Sequence, residues 1–286
     1  MNVGGYLDEQ RSASRTKRRY RVYRGFSLLL IVVILALVGP LLTSHNPLKA
    51  DALQTLLGPS HAHWFGTNGW GGDVYSRVVY AARLDLFIGI VSVGLGFLIG
   101  APIGAVVGYR RGWMSGLTMR GMEFVQSFPV FILAMALVAV RGPGTWNVIG
   151  VIALLNIPIF ARLVRAEVLS LRDRAFVEAA RSVGNGTARL VWKHILPNSL
   201  GSSIAQASAN VGWALLLTAG LGFVGAGIRP PTSEWGTMIA EGSQNMITGQ
   251  WWISLFPGLA LGIAVLAFAL AGDALRELLD VRARTL

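Results

Sequence analysis

The sequence predicts an all-α polytopic membrane protein with six transmembrane helices, and three observations carry this. Charged residues make up only 14% of the 286 residues, against roughly 25% in an average globular protein. Several apolar runs approach or exceed the ~20 residues that a helix needs to cross a hydrocarbon core of about 30 Å. Lys and Arg are also unevenly divided among the connecting segments. With a mean hydropathy of +0.55, the main solvent is lipid.

Residues 1–24 are polar and basic and contain "RTKRRYRVYR". This arm has the charge of a signal-peptide n-region. The run behind it, Gly25 to Thr43, exceeds an h-region of about 7 to 15 residues, and no A-x-A cleavage site follows. We read an uncleaved first span over 25–43, with the arm on the cytoplasmic side. An outer loop follows over 44–83, with turn chemistry in "HNPL", "LLGPS" and "FGTNGWGGDVYSR". The second span covers about Leu84 to Tyr109 and is glycine-rich enough for close helix approach. The third covers Leu117 to Val140 and contains Pro129, the fourth Thr145 to Phe160, the fifth Ser203 to Val224 and the sixth Trp252 to Ala271. Residues 84–271 form a five-helix core, with a polar loop over 162–201, a second outer loop over 225–251 and a tail over 272–286. Trp251 and Trp252 suit an interfacial belt.

The net charge of +11 raises the question of nucleic acid, but the location of the charges answers it. Of 25 Lys and Arg, 20 lie in the alternate segments that include the basic arm, the 162–201 loop and the tail. That is the positive-inside pattern. Both termini and the 162–201 loop are expected in the cytoplasm, and no nucleic-acid partner is needed. Cysteine is absent, which excludes disulfides and thiolate chemistry and leaves the redox compartment open.

Pro102, Pro129, Pro158 and Pro257 interrupt or border the apolar runs, and each removes a backbone donor. The fifth span also carries Ser202, Gln206, Ser208 and Asn210, followed by Trp213. Such a polar face lines a translocation path or packs helices through hydrogen bonds, and both readings are open. Glu123 is the acid of the third span, read either as functional or as snorkelling or paired with Arg120.

The 162–201 loop cannot be a span. Between Arg172 and Pro197 it carries seven charges, Arg172, Asp173, Arg174, Glu178, Arg181, Arg189 and Lys193, and inserting them would cost on the order of 17 to 25 kcal/mol. Its pattern is helix, break, helix. "AFVEAARSV" places Phe176, Ala179, Ala180 and Val183 on one side. Gly184 suits a helix C-terminus, and Thr187 suits an N-cap. Leu190, Val191 and Ile195 form an apolar stripe, and Pro197 ends or redirects the helix. An amphipathic hairpin of this kind calls for a partner.

Glu178-Ala179-Ala180, then Gly184, then His194-Ile195-Leu196-Pro197 resembles the EAA loop of permease subunits in bacterial ABC importers. "FGTNGWGGDVYSRVVYAARLDLFIG", "LGFVGAGIRPPTSEWGTMIAEG" and "LAGDALRELLDVR" resemble the dipeptide, oligopeptide and nickel branch, and more narrowly the second permease of its pair. Gly72 stands where that branch usually has Arg, and Val281 where it often has Pro. The resemblance implies the type I importer permease (MetI-like) fold in a bacterial inner membrane. It also implies a homologous permease as heterodimer partner, two ATP-binding subunits, an extracytoplasmic substrate-binding protein and a peptide cargo. The alternative cargo is nickel, a metal chelate or another small nutrient. In this picture Glu178 orients the hairpin by pairing with a basic group, Gly184 permits the turn, and Leu190 and Val191 anchor it in a groove of the ATPase. Ala179, Ala180, His194, Leu196 and Pro197 complete the coupling motif, with His194 a structural hydrogen-bonding residue.

No G-x-x-x-x-G-K-[ST] occurs, so ATP and Mg are expected on partner chains and no cofactor on this one. No Ser/His/Asp arrangement and no H-E-x-x-H is present, so the chain reads as non-catalytic. His61 and His63, two apart in the outer loop, are read as solvated rather than as metal ligands. A membrane enzyme would show paired catalytic groups at one depth, and a membrane scaffold would not need a polar, Pro-broken path.

Overall fold

The computed structural model describes residues 22–110 and 112–284, with side chains described to residue 279. The basic arm therefore lies outside the described residues up to residue 21. Among the described residues the architecture is helical, and the β pairing is a single bridge between Thr67 and Asp73. Helix α1 runs Val22–Leu41. It is followed by α2 Val74–Tyr109, α3 Trp113–Gln126, α4 Val130–Arg141 and α5 Thr145–Leu171. The short α6 Ala175–Ser182, α7 Thr187–Arg189 and α8 Leu196–Asn198 precede α9 Gly201–Phe223, α10 Trp235–Asn245 and α11 Trp252–Arg284. Among the described residues, five helices are long and apolar enough to cross a membrane, and α3 with α4 makes six if the pair is one span.

That pair departs from the single third span expected over Leu117 to Val140. Its axes bend by 89° between Gln126 and Val130. Pro129 has no N–H and pushes Phe128 out of the helical region. The Ser127 backbone N–H accordingly turns back to the Phe124 carbonyl, 3.2 Å away, and closes α3. Glu123 and Arg120 are both exposed on α3.

Three other helices outrun their apolar stretches. α2 begins at Val74 rather than Leu84, because Asp73 caps it by accepting the Ser76 N–H at 2.8 Å. Its polar first turns, with Ser76 and Arg77, are buried by the outer loops. α5 continues to Leu171 and α11 to Arg284, past Phe160 and Ala271. Hydropathy marks only the part of a helix that lipid covers, and backbone hydrogen bonding carries the helix further.

The central pair is α2 against α5. Gly96, Gly100, Gly104 and Gly108 recur every four residues on α2, so they share one face. A Cβ on Gly100 would stand 2.5 Å from the Ile157 carbonyl oxygen, and one on Gly104 would meet the Ala161 carbonyl. Backbones that close require glycine, as small-residue packing in membranes does. α9 and α11 complete the bundle, and α1 lies along it. Gly25 abuts the Leu270 carbonyl, and Arg83 Nε donates to the Ala36 carbonyl at 2.9 Å, closing the C-terminus of α1.

One core cluster fills the centre and outer part of the bundle, around Ile88, Ile152, Leu215, Leu221 and Trp235. A second, smaller one sits at the inner ends of α2 and α5, where the hairpin docks. Trp252 is not a free belt residue. Its indole Nε1 donates to the Thr67 carbonyl at 3.1 Å and ties the outer loop to α11.

Candidate functional site

The hairpin begins where α5 ends. Arg172 Nη1 donates to the Gly108 carbonyl at 3.1 Å, and Arg181 Nη2 donates to the Tyr109 hydroxyl at 3.1 Å, so the inner end of α2 is held twice. α6 closes in a Schellman motif. The Asn185 N–H reaches the Ala180 carbonyl at 3.3 Å and the Gly184 N–H reaches the Arg181 carbonyl at 2.9 Å. Gly184 has φ +84°, where a side chain is strained. Asn185 Nδ2 adds a bond to the same Ala180 carbonyl at 2.8 Å.

The return arm starts with Gly186 at the N-cap, not Thr187, which is the first helical residue and makes no side-chain cap. Leu190–Ile195 then widens into a π-turn, with the Leu196 N–H bonded to the Val191 carbonyl. Pro197 explains the widening, because it cannot donate to Lys193 and its ring crowds that carbonyl. His194 is half-buried in this turn, and its carbonyl accepts from Asn198 Nδ2 at 2.6 Å.

Burial divides the hairpin into two faces. Val177, Leu190, Val191 and Ile195 are buried against Ala101, Ala105, Val164 and Val168 of α2 and α5, with Ala180 and Leu196 packed at the edge. Leu190 and Val191 are thus anchors inside this chain rather than in a partner's groove. The stripe expected on α6 is also rotated. Val177 faces inward, while Phe176 and Ala179 are exposed and Val183 is 82% exposed. Periodicity alone could not separate a face buried by this chain from one left for another. The outward face thus carries Phe176, Glu178, Ala179, Val183, Gly184, Trp192 and Pro197. The Glu178 carboxylate is exposed there and lends charge to nearby Arg181.

Exposed Arg276 of α11 donates to Oε1 of half-buried Gln206 at 3.3 Å, and Gln206 Nε2 donates to Oδ1 of buried Asn210 at 2.9 Å. Asn210 Nδ2 donates to Asn156 Oδ1 of α5 at 2.8 Å, and Asn156 Nδ2 returns to the Ile152 carbonyl at 2.9 Å. The chain of amides thus joins α11, α9 and α5. Asn156 was missed because it is one polar residue within "ALLNIPIF", two before a proline. Ser208 Oγ donates to the Phe268 carbonyl at 2.8 Å and Trp213 packs on the central core. These bonds join helices of this chain.

At the outer end, the "SEWG" segment folds back onto the bundle. Glu234 caps α10 by accepting the Gly236 and Thr237 N–H groups at 2.7 and 2.8 Å. The Trp235 N–H donates to Asp85 Oδ2 at 3.0 Å, and its indole Nε1 donates to the Val78 carbonyl at 3.0 Å. Gly236 sits directly on the Ala219 backbone of α9. Burial raises Glu234 from its ordinary 4.5 to about 7. Glu241 is also raised by burial, against the pull of Arg77, whose Nη1 lies 3.3 Å from its Oε2. His63 is not solvated as expected. It is buried with Nδ1 2.9 Å from Asp73 Oδ1, while His61 is exposed.

Known proteins share this plan. The family described as binding-protein-dependent transport system inner membrane component matches residues 100–285. The chain is 40% identical to the dipeptide transport system permease protein DppC of Alkalihalophilus pseudofirmus, over 91% of this chain and 86% of that one. It is 38% identical to the probable D,D-dipeptide transport system permease protein DdpC of Escherichia coli, covering 90% and 86%. It is 36% identical to the glutathione transport system permease protein GsiD of Pectobacterium atrosepticum, covering 94% and 89%. Among solved structures, a chain of the inward-facing MetNI methionine ABC transporter superposes with a TM-score of 0.58 at 22% identity, covering 71% of this chain and 96% of that one. The fold is therefore that of an importer permease, and the chain belongs to the inner-membrane component family of binding-protein-dependent transport systems.

Proposed function

We propose that this chain is a non-catalytic permease subunit that carries di- or oligopeptides inward, with its hairpin as the point where ATP-driven force enters. One observation carries the reading. The hairpin has an exposed face around Phe176, Val183 and Trp192, and on its other side Val177, Leu190, Val191 and Ile195 are packed into α2 and α5. Displacing the exposed face therefore displaces the spans, as rigid bodies in packed contact move together. That relatives are permeases of dipeptide and glutathione transport systems supports the peptide cargo. ATP and Mg belong on two partner ATPases, and no nucleotide on this chain. A homologous permease completes the path as a heterodimer, an extracytoplasmic binding protein delivers the peptide, and both termini face the cytoplasm.

The test is reconstitution of the chain with its partner permease, ATPases and binding protein in proteoliposomes. Uptake of labelled di- and oligopeptides is expected with ATP inside the binding-protein-free face. Val183→Asp, on the exposed face, is expected to abolish capture of the ATPase subunits and uptake while leaving the helices intact. Undiminished ATPase capture by that variant would overturn the coupling role, and uptake of nickel chelates but no peptide would overturn the cargo.

A further inference from the structure

Three of the chain's four histidines, His45, His61 and His63, lie in the outer loop between α1 and α2. His45, His61 and Asp73 line one pocket of about 210 Å³. The His63 ring stands 4.8 Å from that of His45 and touches Asp73. One ligating atom from each of His45, His63 and Asp73 lies within 4.8 Å of the other two.

The bonding of His63 is unbalanced. Nδ1 is 2.9 Å from Asp73 Oδ1 and Nε2 is 2.8 Å from Gln54 Oε1, so both nitrogens face oxygen acceptors. A neutral imidazole carries one N–H and can satisfy only one of them. A turned Gln54 amide or a second ring proton would balance the contact. So would a cation at Nδ1, and the neighbouring His45 ring, whose Nδ1 lies 3.1 Å from Ser44 Oγ, stands beside that position. The remaining N–H at Nε2 then donates to Gln54, the outer partner that metal-bound histidines ordinarily have. Asp73 is held in place as well, because its other oxygen accepts the Ser76 N–H at 2.8 Å.

We propose that His45, His63 and Asp73 bind a divalent transition metal of the zinc class on the outer face of the protein. Two imidazoles and a carboxylate suit that ion, with a fourth position left to water. Ligands of a tetrahedral site with bonds near 2.0 to 2.1 Å stand about 3.3 Å apart. His63 and Asp73 need to part by only a few tenths of an ångström. His45 must move further, and it is exposed on a loop. The ion displaces the proton shared by Nδ1 and Asp73, which leaves to solvent. The metal would clamp the chain that leaves α1 to the N-cap of α2, independently of what the protein transports.

The experiment uses the full chain in lipid nanodiscs, stripped with a chelator and titrated with zinc sulfate alone, read by calorimetry and elemental analysis. One zinc per chain is expected. His45→Ala and Asp73→Asn should each weaken binding at least tenfold; the first changes an exposed side chain and the second keeps a capping acceptor. His61→Ala should leave affinity within about threefold. No stoichiometric zinc on a chain with intact helix content would overturn the proposal, as would unchanged affinity in both His45→Ala and Asp73→Asn.

Discussion

The two ends of α2 are joined to the rest of the protein by different chemistry. At the inner end, Ala101 and Ala105 meet Val177, Leu190, Val191 and Ile195 of the hairpin through apolar contact. At the outer end, Arg77 pairs with Glu241, Asp85 accepts the Trp235 N–H, and Asp73 joins His63 to Ser76. Apolar contact is non-directional, and the two polar ties at the inner end, Arg172 to the Gly108 carbonyl and Arg181 to the Tyr109 hydroxyl, lie at its solvent edge, so the inner joint can shift at small cost. Buried hydrogen bonds hold one geometry, and a partly broken network is costly. On the proposed coupling role, the inner end transmits displacement and the outer end resists it.

The largest effect should come from the outer end. Arg77→Ala leaves Glu241 without its ion-pair partner in a largely buried position, and breaking such a pair costs about 3 to 5 kcal/mol. Protease cleavage within 225–251 should accelerate sharply while the hairpin stays protected. If both ends loosen together, they are not separate joints.

Leu190→Ala tests the inner joint. It removes a fully buried side chain at a cost of about 2 to 5 kcal/mol. Hydrogen exchange should rise over α6 to α8 and stay unchanged in α10. Unchanged exchange in the hairpin would refute the anchor role.

The third prediction concerns pH. Glu234 holds its proton to about pH 7 in the folded cap and has an ordinary value of 4.5. Between these values the folded protein keeps a proton that the unfolded chain releases. Its contribution is thus fully present below pH 4.5 and lost as pH rises through about 7, by roughly 3 kcal/mol in all. Exchange of α10 amides should be faster at pH 8 than at pH 5, and Glu234→Gln should flatten the dependence.

The smallest effect on stability is expected at Gly184→Ala. A Cβ there meets nothing within 4 Å, but φ is +84°, so the cost is about 1 kcal/mol. A melting shift much beyond that would mean that the turn packs more tightly than its open surroundings indicate.

The hairpin was legible because charge keeps it out of lipid and because Gly184 and Pro197 punctuate it. Which of its apolar residues face inward was not legible. Val177 and Val183 are alike in type, and only the positions of α2 and α5 separate them. Gly104 could be read as helix packing, but not that Ala161 was its neighbour. Asn156 and His63 were hidden for a shared reason, since a lone polar residue reveals its role only through a partner far along the chain.

Composition and apolar run length were enough to determine helical class and the approximate spans, because lipid acts on each segment separately. Tertiary structure decided the inward turn of Leu190 and Val191. It also decided the pairing of Asn210 with Asn156 and of Arg77 with Glu241. Each of these depends on a neighbour that one segment cannot specify, since packing and buried hydrogen bonding are properties of pairs.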